Sequence, residues 1–227
     1  MRIIVTGGTG LVGEEVVRQA INDDRITSIT AIVRKPMKLQ HAKLQTVIHK
    51  DFMDYTGLED LIASNDAFFW CLGISQSQVN KVEYEKITYD YTIAAAEKVL
   101  STNPNMKFLF LSGAGADNSE KSSAIFARIK GKAENKLKSM GLGKLFIIRP
   151  GGIKPIHKNP NTAFVNKMMI PLYPLMEILW PSMVIASDTL AKAMIEIAFN
   201  EPEVQTFENL ELKRKGKEEY KETGDRI

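Results

Sequence analysis

The chain has 227 residues, 44% of them hydrophobic, and a formal charge of +3, enough for one α/β core with a small appendage and too little for two large domains. Its densest basic run, KRKGK, leads into the acid-rich end EEYKETGDRI, so a nucleic-acid footprint is excluded and residues 213–227 are expected to form a solvated, flexible tail. The lone Cys71 excludes an intramolecular disulfide, and the apolar stretch from Ala163 to Trp180 is broken by Lys167, Pro171, Pro174 and Glu177, which excludes a membrane-spanning helix.

The chain opens on a strand-like run, Arg2 to Thr6, with no targeting leader before it, and a cytoplasmic location is expected. Further β-branched or aromatic runs follow at Ile26 to Val33, Thr46 to Lys50, Ala67 to Leu72, Lys107 to Ser112 and Leu145 to Arg149. Between the first two, Val12, Val16 and Ala20, with Val17 and Ile21 beside them, mark one face of a helix. Asn80 to Leu100 and Ser122 to Met140 carry apolar residues at helical spacing as well. Strands alternating with helices predict a Rossmann-type doubly wound parallel sheet, because a parallel neighbour needs a crossover and a helix usually supplies it.

After Arg149 the segment RPGGIKPIHKNPN is rich in Pro, Gly and Asn and leads into MMIPLYPLMEILWP. Residues 151–186 therefore read as a substrate-side loop and a small C-terminal helical lid within a single domain of residues 1–227. Asp188 reads as the N-cap of a helix from Leu190 to Phe199, its carboxylate accepting free backbone N–H groups. The lid residues Phe164, Met168, Met169, Leu172, Tyr173, Leu175, Met176, Leu179 and Trp180 could line a pocket for a hydrophobic small molecule. They could equally cap the core, form a face between copies of the chain, or rest on a membrane surface.

The segment TGGTGLVG, from Thr6 to Gly13, ends the first strand and opens the first helix. Glycines at this spacing permit a tight turn, a close approach of backbone to a pyrophosphate, and close helix–strand packing, while the helix N-terminus offers N–H groups to phosphate. Gly7, Gly8, Thr9, Gly10, Leu11, Val12 and Gly13 are thus candidates for binding a nicotinamide dinucleotide; the alternative is an ordinary structural turn. The second strand ends not on an acid, which would hold the 2′-hydroxyl of NAD, but on Arg34 and Lys35. Two cations suit a 2′-phosphate, so NADP(H) is expected over NAD(H).

With these residues the chain resembles the atypical short-chain dehydrogenase/reductase superfamily, and within it the NAD(P)H-binding oxidoreductases similar to the Tat-interacting protein. The likeness runs through AIVRKP, Asp51-Phe52, AFFWCLG, KVEYEKITYDY, FLFLSGAGADNS, IKGKAE and IIRPGGI, covering about the first two-thirds of the chain. The resemblance implies that Asp51 and Phe52 border the adenine and that Cys71, Leu72 and Gly73 line the cofactor. It further implies that Arg149, Pro150 and Gly151 mark the loop beside the nicotinamide; core packing and turn formation are the alternatives for Phe52, Cys71 and Gly73.

Catalysis in that superfamily uses a tyrosine four residues before a lysine, together with a strand-end serine. One helical turn puts both side chains on one face, where the ammonium lowers the phenol pKa and holds the cofactor ribose. Here Lys130 and Ser112 match, but Phe126 stands where the tyrosine belongs, and Gly113 follows Ser112 where relatives often carry a second serine. Tyr84, Tyr89, Tyr91 and Tyr173 do not stand in the required relation to Lys130; His157 could act as a general acid or sit as a solvated loop residue. Two function classes follow: an oxidoreductase acting on a small carbonyl or alcohol compound, with epimerase-type hydride chemistry as a variant, or a catalytically weak NADP(H)-binding sensor or partner-binding protein. No metal-ligand spacing or nucleophile elbow is present.

Overall fold

The computed structural model describes residues 1–157, 173, 176, 179, 180, 182–203 and 205–217. Among them, β1 (Arg2–Thr6), β2 (Ser28–Val33), β3 (Leu44–Ile48), β4 (Ala67–Trp70), β5 (Lys107–Leu111), β6 (Lys144–Arg149) and a short strand at Thr206–Glu208 form one sheet. Its order is β3-β2-β1-β4-β5-β6 with Thr206–Glu208 beyond β6, and every pairing is parallel. The order reverses between β1 and β4, the switch point where the carboxyl ends of a doubly wound, Rossmann-like sheet leave a crevice.

The helices cover both faces because adjacent strand residues point to opposite sides. Ile3 and Val5 meet Val12, Val16 and Val17 of α1 (Leu11–Ile21) on one face, together with Leu190, Met194 and Ile197. On the other, Ile4, Phe68, Trp70 and Phe108 meet Ile62 of α2 (Glu59–Ala63), and Ile93 and Val99 of the helix that runs from α3 (Lys81–Glu85) through a π segment at Lys86–Asp90 into α4 (Tyr91–Thr102). Leu137 of α5 (Ile125–Ser139) completes that layer. Burying each such side chain is worth about 1.5–3 kcal/mol. Trp70 Nε1 donates to Thr92 Oγ1 of α4 at 2.8 Å, and Thr92 Oγ1 donates to the Thr88 carbonyl of the π segment at 2.9 Å, so the buried indole has a polar partner.

Three expectations are corrected. The ends of the presumed loop and lid pair as strands: β7 (Gly152–Lys154) lies parallel to β8 (Val184–Ala186), with Ile153 opposite Ile185, so that the two segments satisfy one another's backbone. Asp188 is not an N-cap, because α6 (Ser187–Asn200) begins before it and is preceded by Ala186; the Asp188 carboxylate instead accepts from Thr189 N at 2.6 Å. Lys213 to Lys215 do not belong to a free tail but to α7 (Asn209–Lys215), which follows the strand β9 at Thr206–Glu208 through a capping box of Glu208 and Glu211. Gly216 then packs on Thr189.

The lid residues Phe164, Met168, Met169, Leu172 and Leu175, and residues 218–227 of the expected tail, lie outside the described residues. No described helix is long and apolar enough to cross a membrane.

Candidate functional site

Thr6 of β1, Val33 of β2, Trp70 of β4, Leu111 of β5 and Arg149 of β6 end at the same edge of the sheet, where the N-terminus of α1 also opens. The turn between β1 and α1 is built by two close approaches. Gly7 has φ +67° and lies so near the Cys71 carbonyl that a Cβ would collide with it, and a Cβ on Gly13 would collide with the Gly7 carbonyl. Gly10 N donates to Gly7 O at 2.8 Å, and Gly10, the N-cap of α1, offers no side-chain cap. A glycine cradle with an uncapped helix start fits a pyrophosphate.

Arg34 and Lys35 are exposed at the end of β2, one strand from this turn, and Met37 packs over Gly8. Asp51 is exposed and accepts from Met53 N at 3.0 Å. Phe52 is 1% exposed and packs edge-on against His49 and Trp70, so its ring belongs to the core. Cys71 is buried beneath Gly7, and burial pushes its thiol up to about 12. Leu72 is half-buried, and Gly73 is exposed with open space around it.

Across the crevice, α5 presents Phe126 and Lys130 one helical turn apart toward the loop that follows β5. The tip of the Phe126 ring would lie 3.6 Å from a Cβ at Gly115, and the Lys130 chain 3.7 Å from one at Gly113. Lys130 Nζ donates to the Leu111 carbonyl at 3.0 Å and sits 5.5 Å from the centre of the Phe110 ring. Burial pushes this ammonium down to about 8, partly offset by the charge of Glu134.

Ser112 is brought to the same place, but its hydroxyl donates to Glu134 Oε1 at 2.5 Å. Glu134, fully buried, also accepts from Asn118 at 3.0 Å and from the Arg149 guanidinium through two nitrogens. Burial alone would raise this carboxyl, but hydrogen bonds from Arg149, Ser112 and Asn118 and the Arg149 charge outweigh it and hold it below the usual carboxylate range. Arg149 continues to Glu208 at 3.0 Å, and both carboxylates raise its pKa. Pro150 is buried and its carbonyl accepts from Ala114 N, while Gly151 N donates to Asn209 at 2.7 Å.

The remaining sequence candidates stand apart from Lys130. His157 Nδ1 lies 2.8 Å from the buried carboxylate of Glu15 on α1. Tyr173 Oη donates to the Ile153 carbonyl at 3.1 Å, Tyr84 is buried, and the Lys132 ammonium lies over the Tyr89 ring. Glu134 and Asn118 are the residues that sequence reasoning missed. Their only signal was an acid one helical turn beyond Lys130, a pattern also typical of solvated helix faces. Among the described residues no group of His, Cys, Asp and Glu could hold a metal ion.

A family model described as NAD(P)H-binding matches residues 7–200. The chain is 26% identical over 231 residues to Protein FMP52, mitochondrial, of Meyerozyma guilliermondii, with 96% of each chain covered. It is 23% identical over 152 residues to Protein HTATIP2 of Rattus norvegicus, covering 66% of this chain and 61% of that one. Among solved structures it is similar to UDP-N-acetylglucosamine 4-epimerase from Methanobrevibacter ruminantium, at 20% identity and TM-score 0.66 over 90% of this chain and 74% of the other. Vestitone reductase from alfalfa gives 16% identity and TM-score 0.66 over 91% and 75%. These structural likenesses speak for the fold.

Proposed function

The chain belongs to the NAD(P)H-binding family, and we propose that it is an NADP(H)-dependent oxidoreductase acting on a small carbonyl or alcohol compound. The observation that carries this reading is the pairing of the glycine cradle with two exposed cations, Arg34 and Lys35, one strand away. Backbone N–H groups of residues 8–13 would hold the pyrophosphate, and Arg34 and Lys35 the 2′-phosphate. Asp51 would border the adenine, Leu72 and Gly73 would line the cofactor after β4, and Pro150 and Gly151 would border the nicotinamide. Phe52 and Cys71 support these positions from the core. The bound cofactor supplies a hydride donor or acceptor.

Lys130 would orient the ribose, its ammonium being held in place by the Leu111 carbonyl. Ser112 has its hydrogen committed to Glu134, so toward a substrate it offers an acceptor rather than a donor.

A second reading rests on Phe126. A phenyl ring cannot pass a proton, so a protein that binds NADP(H) with little turnover, as a redox sensor or partner-binding module, also fits this site. Calorimetric titration of cofactor-stripped protein with NADPH and NADH, repeated on Arg34→Ala, tests the binding site shared by both readings. Tight NADPH binding that weakens in the variant supports it; no binding of either nucleotide overturns it. Oxidation of NADPH with a panel of carbonyl compounds, abolished by Lys130→Met, then separates enzyme from sensor. Subcellular fractionation decides between the expected cytoplasm and the mitochondrion in the FMP52 name.

A further inference from the structure

The buried hydrogen-bond cluster around Glu134 joins every segment that flanks Lys130. Ser112 stands at the end of β5, Asn118 in the loop that follows it, Glu134 on α5, and Arg149 at the end of β6. The adjoining residues are those that face the crevice: Gly113 against the Lys130 chain, and Pro150, whose carbonyl fixes Ala114. A carboxylate with no exposure is costly unless it is fully paired. An apolar residue here would leave Arg149, Ser112 and Asn118 without their shared partner, so the four groups stand or fall as one unit tying these segments together.

We propose that Glu134 is the positioning residue of the NADP(H) site, a buried carboxylate that clamps the loop after β5 to the loop after β6 and faces Lys130 across one helical turn. The inference rests on the NADP(H) reading above. Four donors reach Glu134 from three directions: the Ser112 hydroxyl, the Asn118 amide and two Arg149 nitrogens. The charged groups around the pair are Arg149, which Glu208 also engages, and Lys130 itself, whose other neighbours are the Leu111 carbonyl and the Phe110 ring. Glu134 is thus the negative charge acting on Lys130, and it favours the charged ammonium that a ribose or phosphate oxygen would accept from.

The test follows Lys130 and NADPH separately. Lysine side chains labelled with carbon-13 are titrated by NMR, the Lys130 signal being assigned with Lys130→Arg, and NADPH affinity is measured by calorimetry from about pH 7 to about pH 9. Glu134→Gln is expected to lower the Lys130 midpoint by about one unit and to move the loss of NADPH affinity at high pH by the same amount. Glu134→Asp keeps the charge but withdraws it from Ser112 and Arg149. It is expected to leave the Lys130 midpoint near that of the unaltered protein while weakening NADPH about tenfold.

An unmoved Lys130 midpoint in folded Glu134→Gln overturns the proposal. If that variant does not fold, undiminished NADPH affinity in Glu134→Asp overturns it instead. Failure of the unaltered protein to bind NADPH removes the cofactor reading, and the lysine titration still decides whether Glu134 governs Lys130.

Discussion

Gly13, in the first turn of α1, packs directly against the Gly7 carbonyl, leaving no room for a Cβ between the helix and the turn after β1. Because the obstructing atom is backbone, it cannot swing aside as a flexible side chain would. Gly13→Ala should therefore push α1 away from β1 and distort the cradle. The expected result is a loss of about 1–3 kcal/mol in unfolding free energy, together with loss of NADPH binding by calorimetry. Retained affinity would show that the turn relaxes without involving the phosphate site.

Arg34 is exposed and stands at the end of β2, where a 2′-phosphate would be expected. A charge-assisted bidentate contact contributes about 1.5–3 kcal/mol. Arg34→Ala should thus weaken NADPH at least about tenfold while leaving NADH nearly unchanged, and the NADPH loss should shrink at high salt. Equal weakening of both nucleotides would assign Arg34 to the adenine or to folding rather than to the phosphate.

The fold was legible because its strands are short and apolar and its helices repeat on one face. The run from Arg2 to Thr6 was readable as a strand, and in the structure its Ile3 and Val5 face one core layer and Ile4 the other. Thr206–Glu208 escaped notice because three residues with one buried apolar side chain, Phe207, carry no periodicity. At the site, the glycine spacing and Lys130 were visible because each position demands one residue type. Glu134 was not, since burial of an acid depends on Arg149 and Ser112 arriving from distant strands. Phe52 and Cys71 illustrate the converse: their motif neighbours Asp51 and Gly73 are exposed, while their own side chains are buried in the core.

Phe126 occupies the position one turn before Lys130, with its ring tip beside Gly115. Phe126→Tyr adds one oxygen at the half-buried edge of the crevice and should cost less than about 1 kcal/mol of stability. Under the oxidoreductase reading it should raise NADPH-dependent reduction of a carbonyl panel by about 10²-fold, the typical contribution of a positioned proton donor. The new phenol should titrate lower in Phe126→Tyr than in the same variant carrying Lys130→Met, as read by ultraviolet absorbance. Equal titration in the two proteins would mean that the ring does not face the ammonium.

Glu134 also fixes how the fold responds to acid. Its carboxyl is held below the usual range in the folded protein by Arg149, Ser112 and Asn118, against the opposing effect of burial. A group with a depressed folded pKa contributes stability that is fully present above its unfolded value, about 4.3, and is lost as pH falls through the folded value. Glu134→Ala leaves the Arg149 guanidinium, 14% exposed, without its main partner, and should cost about 3–5 kcal/mol at neutral pH in denaturant unfolding. Repeated below about pH 4, the gap between the two proteins should narrow, because protonation weakens the same pair in the unaltered chain. A gap that stays constant with pH would show that the Glu134 side chain stabilises by packing alone and that its charge is not felt in the fold.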